Sequence, residues 1–193
     1  MRNRIWIGIV ASIALVAALP LGALAQDNGG CSNATLNGDY AFTVSGKIFH
    51  PDGTVDTRAG VAMTHFNGAG GLTQNDYLMS SSIYMASGAN DGHVPGPPDP
   101  TTGFNTGETG SYTVNSDCTG KMEIDFPVPP TATTGAVIKL RIVVSDGGRV
   151  IGTVVSSLTP PGSATPVNAI IRSEGRKLTA PMAGESLAWS SPR

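Results

Sequence analysis

The chain has 193 residues, 40% of them hydrophobic and only 13% charged, with a formal net charge of −2 at neutral pH. That length suits one domain with a substantial core, and the absence of any basic cluster argues against nucleic acid as a partner. With 25 Gly, 14 Pro and few strong helix formers beyond the first 25 residues, the composition predicts an all-β protein.

Residues 1–25, MRNRIWIGIVASIALVAALPLGALA, place Arg2 and Arg4 before an apolar run that ends in Ala23-Leu24-Ala25. This is the pattern of a secretory signal peptide with a small-x-small cleavage site. The run from Ile5 to Ala25 is 21 residues, long enough for an uncleaved membrane anchor, but Pro20 and Gly22 near its end favour cleavage. Removing 25 of the 193 residues leaves 168, with ten basic against fourteen acidic side chains and a charge of about −4. The mature chain is therefore expected to be secreted or periplasmic, with no membrane attachment after cleavage.

Cys31 and Cys118 are the only two cysteines, 87 positions apart. Cys31 trails the cleavage site, so it does not read as a lipidation point. Thiolate metal sites need close pairs, and no histidine neighbours either cysteine, so no metal is expected. In an oxidising compartment a Cys31–Cys118 disulfide is the expected state.

Beyond Cys31, alternation with period two dominates, separated by turn residues. Tyr40, Phe42, Val44 and Ile48 share one parity. A second run, 59–66, leads into the turn Asn67-Gly68-Ala69-Gly70-Gly71, and 72–85 reads as the returning strand. A hairpin through residues 41–50 and 60–66 would centre near Val55. The stretch 88–107 is rich in proline and glycine and reads as a long exposed loop.

Tyr112 and Val114, a turn at 115–120, and Met122, Ile124 and Phe126 form one clear hairpin. Ile138, Leu140, Ile142 and Val144, followed by Asp146-Gly147, form another. A proline-containing break at 159–166 precedes a short strand at 167–172, and 173–193 reads as a loosely ordered tail. The expected domain is residues 26–172: a single antiparallel β-barrel of seven or eight strands in up-and-down order. A β-sandwich is the alternative, with 88–107 and 127–136 as crossovers.

The segments CSNATLNGDYAFTVSG and TGSYTVNSDCTGKMEI resemble a group of small exported bacterial proteins of uncharacterised activity. These open with Cys-Ser-Asn and a Leu-x-Gly-x-Tyr-x-Phe strand and later carry Tyr-x-Val-Asn-x-Asp-Cys-Thr-Gly. The resemblance spans residues 31–155 and implies a secreted barrel akin to allene oxide cyclase or lipocalin-type barrels. It transfers no catalytic residue, and the proline-rich loop 88–107 departs from the pattern. Cys31 then acts as a staple, worth about 4.5 kcal/mol in the chain-entropy picture.

Catalytic motifs are sparse. Gly184-Glu185-Ser186-Leu187-Ala188 lacks the final glycine of a nucleophile elbow. His50, His65 and His93 show no metal-binding spacing. His65 shares parity with Val61 and Met63, which makes it a candidate inward-facing acid/base group. Asp76, Glu108, Glu123 and Asp125 read as solvated surface charges.

The bulky inward set predicts a largely filled interior with a shallow cavity at one mouth near Tyr77, Met79 and His65. The expected function is a non-catalytic module that binds a small apolar ligand or a protein partner, without a cofactor. The alternative is a cyclase or isomerase-like enzyme acting on an apolar small molecule by shape and desolvation. Tyr84, Met85, His93 and Phe104 around the long loop offer a surface for a protein partner.

Overall fold

The computed structural model describes residues 30–82, 99–129 and 132–179, so the expected signal peptide lies outside the described residues. Eight antiparallel strands follow one another: β1 Asn37–Phe49, β2 Val55–Asn67, β3 Gly71–Ser80, β4 Asn105–Val114, β5 Thr119–Asp125, β6 Val137–Ser145, β7 Val150–Thr159 and β8 Asn168–Lys177. Each pairs with its neighbour in sequence, and β1 pairs with β8, which closes the barrel and excludes the sandwich. Closure leaves the sheet without a free edge strand.

Several boundaries differ from expectation: β2 starts at Val55 rather than at residue 59, β3 ends at Ser80 rather than at 85, and β4 takes residues 105–107 from the expected loop 88–107. The β1–β2 hairpin pairs Phe49 with Val55, so it is centred on Asp52 rather than Val55. β8 runs on to Lys177, which moves residues 173–177 from the expected tail into the barrel wall. The local pattern there is weak because the inward positions are small. A Cβ on Gly175 would stand 2.3 Å from Cζ of Phe42, so the ring of β1 fills the space that a β8 side chain would otherwise take.

One end of the barrel is sealed by aromatic residues. Phe66 sits edge-on between Tyr40 and Tyr112, with ring centroids 5.2 and 5.0 Å away. A short 3-10 turn, Asn33–Thr35, lies across this end and buries Leu36 completely. The Tyr112 hydroxyl donates to the Leu36 carbonyl at 2.9 Å, and the Tyr40 hydroxyl donates to the Gly148 carbonyl. The Cys31–Cys118 disulfide pins the same end, joining the entry segment to the β4–β5 turn.

From the middle of the barrel towards the other end the interior has two faces. Met122, Ile124, Leu140 and Ile171 give an apolar wall on β5, β6 and β8. Opposite them, β2, β3 and β4 turn Asp56, Thr64, Gln74, Asp76, Asn105 and Glu108 inward.

Candidate functional site

His65 does not point into the barrel. The inward set of β2 is Ala62, Thr64 and Phe66, while Val61 and Met63 are exposed, so the parity that His65 shares with them is the outward one. Its Nδ1 lies 2.8 Å from Oδ1 of Asp39, and both side chains are more than half exposed. Tyr77 and Met79 pair with the outward-facing Val61 and Ala59, which puts them on the outer surface too. The Tyr77 ring centroid is 5.8 Å from that of Phe104. Tyr77 is opposite Val61, four residues along β2 from His65, or about 13 Å at strand rise. The three residues therefore do not form one site.

The barrel instead gathers a polar cluster that includes Asp76 and Glu108, two acids expected at the surface. Asp76 and Glu108 are each only 1% exposed. Asp76 lies inward because it alternates with Leu72 and Gln74 on β3. On β4 an irregularity does the positioning: Gln74 and Asp76, two residues apart, pair with Glu108 and Asn105, which are three apart. In a regular strand, residues three apart face opposite sides; one extra residue turns both inward. Gly107 sits in that bulge at φ 85°, a conformation glycine adopts without strain.

Hydrogen bonds fix the cluster's orientation. The Thr64 hydroxyl donates to Oε1 of Gln74 at 2.8 Å, while the two buried oxygens of Glu108 make no hydrogen bond with a described residue. Nδ2 of Asn105 donates to Oδ1 of Asp76 at 2.9 Å. Burial, and then the charge of Asp76, push the Glu108 carboxyl from its ordinary 4.5 up to about 8, against a smaller lowering influence of the Gln74 side chain. Glu108 thus holds its proton at neutral pH beside the Asp76 carboxylate. A proton donor and an acceptor stand together in a water-poor interior.

A second buried carboxylate has a structural role. Asp56 accepts hydrogen bonds from the Ser80 hydroxyl at 2.9 Å and the Ser82 backbone at 3.0 Å, with Nε of Arg58 2.7 Å from its other oxygen. Burial alone would raise its pKa, but these donors and the Arg58 charge hold it below the usual carboxylate range. It ties the start of β2 to the end of β3. Glu123 and Asp125 do lie on the outer face, Glu123 facing Lys139 at 3.3 Å.

Between the polar and apolar walls lies a cavity of about 60 Å³, bordered by Asp76 and Gln74 on one side and by Met122, Ile124 and Leu140 on the other. Thr153 and Ser173, whose hydroxyls are 2.7 Å apart, add a second polar edge. The space holds a few water-sized groups, enough for a small ligand's head but not for a drug-sized molecule without side-chain movement. Among the described residues no group of His, Cys, Asp and Glu is arranged to hold a metal ion. Tyr84, Met85, His93 and the 184–188 segment lie outside the described residues.

No protein-family model matches the chain, and no curated protein matches it. Among solved structures, an S-type phycobiliprotein lyase from Guillardia theta is similar over 80% of this chain and 97% of its own, with a TM-score of 0.43 and 8% identity. The protein Rv2717c of M. tuberculosis is similar over 75% of this chain and 94% of its own, with a TM-score of 0.39 and 14% identity.

Proposed function

We propose that the mature chain is an exported, disulfide-stapled barrel that binds a small ligand and does not catalyse a reaction. The ligand has an apolar portion and a group that donates hydrogen bonds or carries positive charge. The observation that carries this reading is the buried Asp76–Glu108 pair, with Asp76 in the wall of a cavity otherwise faced by Met122, Ile124 and Leu140. Burying carboxylates costs several kcal/mol that an apolar pair of similar volume would avoid. A polar wall in this position serves recognition better than stability.

Native mass spectrometry of the protein purified from its own host tests the reading. A small molecule retained by the wild-type chain and lost from Asp76→Asn is the expected result. Absence of any retained molecule, together with no thermal stabilisation by small amines or amides, overturns it. The export reading has its own check: periplasmic or secreted material should begin at Gln26 and contain no alkylatable thiol.

One observation favours a second reading, a cyclase or isomerase-like activity on an apolar small molecule: Glu108 carries a proton at neutral pH beside the Asp76 acceptor. Under that reading Glu108→Gln keeps ligand binding and loses turnover. Under the binding reading, no turnover exists to lose.

A further inference from the structure

The outer surface of β6, β7 and β8 holds a hollow that the interior site does not explain. Two rows of outward residues cross these strands. In one row Arg141, Val154 and Arg172 are direct cross-strand neighbours, and in the next Val143, Gly152 and Glu174 are. They enclose a groove of about 600 Å³, within the size range of small-molecule sites.

Gly152 is the unusual member. A Cβ built on Gly46, Gly60, Gly110, Gly120 or Gly175 would come within 2.6 Å of a neighbouring strand or ring, and Gly71 would press on Asn67 at 2.7 Å. Gly38 and Gly107 have positive φ. Gly152 alone among the strand glycines has an ordinary backbone and nothing within 4 Å of that Cβ. Glycine in a strand interior is destabilising relative to alanine, and here neither sterics nor backbone conformation requires it. Its effect is to keep the hollow open.

The charges around the hollow have a sign. Arg141 and Arg172 flank Val154 at a separation of two strand spacings, about 10 Å, within which two guanidinium forks can reach one anion. Neither makes an ion pair with another described residue. Glu174, the one acid in the groove, is occupied by Arg176, whose Nη2 is 2.8 Å from its carboxylate. Val143 and Val154 are 56% and 47% exposed, so the ground between the cations is apolar.

We infer that the outer face of β6–β8 is a second ligand site, in which Arg141 and Arg172 clamp the carboxylate of an organic acid whose apolar body lies in the hollow over Gly152. Bidentate guanidinium–carboxylate bonds supply orientation, and the two valines and the uncovered backbone of β7 supply contact area. The clamp is exposed, so the affinity falls as salt rises.

Backbone NMR titration of the mature protein with octanoate tests the site. Shifts should centre on Arg141, Gly152, Val154 and Arg172 and saturate, and octylammonium should not reproduce them. Arg141→Gln and Arg172→Gln should each weaken octanoate about tenfold, the effect of losing one charge-assisted bond. Gly152→Val fills the hollow without touching a charge; it should melt no lower than wild type and yet weaken octanoate at least tenfold. Shifts centred on Asp76 and Glu108, or undiminished binding by Gly152→Val, overturn the inference. Inorganic phosphate binding as tightly as octanoate overturns its apolar half.

Discussion

Replacing Glu108 by Gln removes a titration that the fold must otherwise accommodate. In the unfolded chain this carboxyl ionises above about 4.5, whereas in the folded barrel it keeps its proton until about 8. Between those values the folded state binds more protons than the unfolded state, so stability is complete below pH 4.5, falls as pH rises, and levels off above 8. At 1.36 kcal/mol per pH unit, the loss across the window is about 5 kcal/mol. For a domain of this size that corresponds to a melting-temperature change on the order of 10 °C. Glu108→Gln, nearly isosteric with the protonated acid, should match wild type within about 1 kcal/mol at pH 5 and exceed it by several kcal/mol at pH 9. Urea melts of both proteins at pH 5, 7 and 9 provide the comparison, and groups common to both cancel. Parallel pH profiles would refute the assignment of a proton to Glu108, and the second reading of the site would fall with it.

Other expectations follow from packing and cross-linking. Phe42→Ala or Leu140→Ala should cost about 2–5 kcal/mol in urea melts through the cavity left behind, while Lys139→Ala, at an exposed pair with Glu123, should stay within roughly 0.5 kcal/mol. Gly175→Ala should cost about 1–3 kcal/mol by overpacking against Phe42, although it raises intrinsic strand propensity. Reducing the disulfide, or replacing Cys31 and Cys118 by Ser, should lower stability by about 2–4.5 kcal/mol, read as a shift in urea midpoint with and without reductant. His65→Ala should change stability by no more than about 0.5 kcal/mol, since its contact with Asp39 is exposed on both sides.

The barrel was legible because its apolar wall follows period two without interruption. Tyr40, Phe42, Met122, Ile124, Leu140 and Ile142 are buried as their alternation predicts. The polar wall obeys the same rule, but residue type overrode position in the reading: Asp76 shares parity with Leu72, and Glu108 with Tyr112 and Val114. Extending each run turns its own acid inward. Asn105 had no such signal, because the extra residue in β4 breaks the alternation and only the pairing with β3 reveals it. His65 misled for the opposite reason, since Val61 and Met63 are apolar yet exposed while Thr64, between Met63 and His65, is fully buried. Length also misled at β8, where Ser173 and Gly175 supply little hydrophobicity to a genuine strand.

The seam between β1 and β8 has a consequence for how the chain acquires its shape. Phe49 pairs with Asn168 and Tyr40 with Lys177, so the sheet stays open along both margins until nearly the whole described chain has emerged. Until then β1 is an unsatisfied margin, and the most distant pairing in the sequence is the one that completes the structure. Loop-closure entropy makes such pairings slow to form. Re-joining the chain beyond Lys177 to the segment before Asn37, and opening it in the 50–54 turn, converts this seam into a local hairpin. It also leaves the β1–β2 pairing to be made last. The amino-acid content and the final contacts are unchanged, so a difference in refolding rate between the two connectivities would measure the kinetic burden of the seam alone.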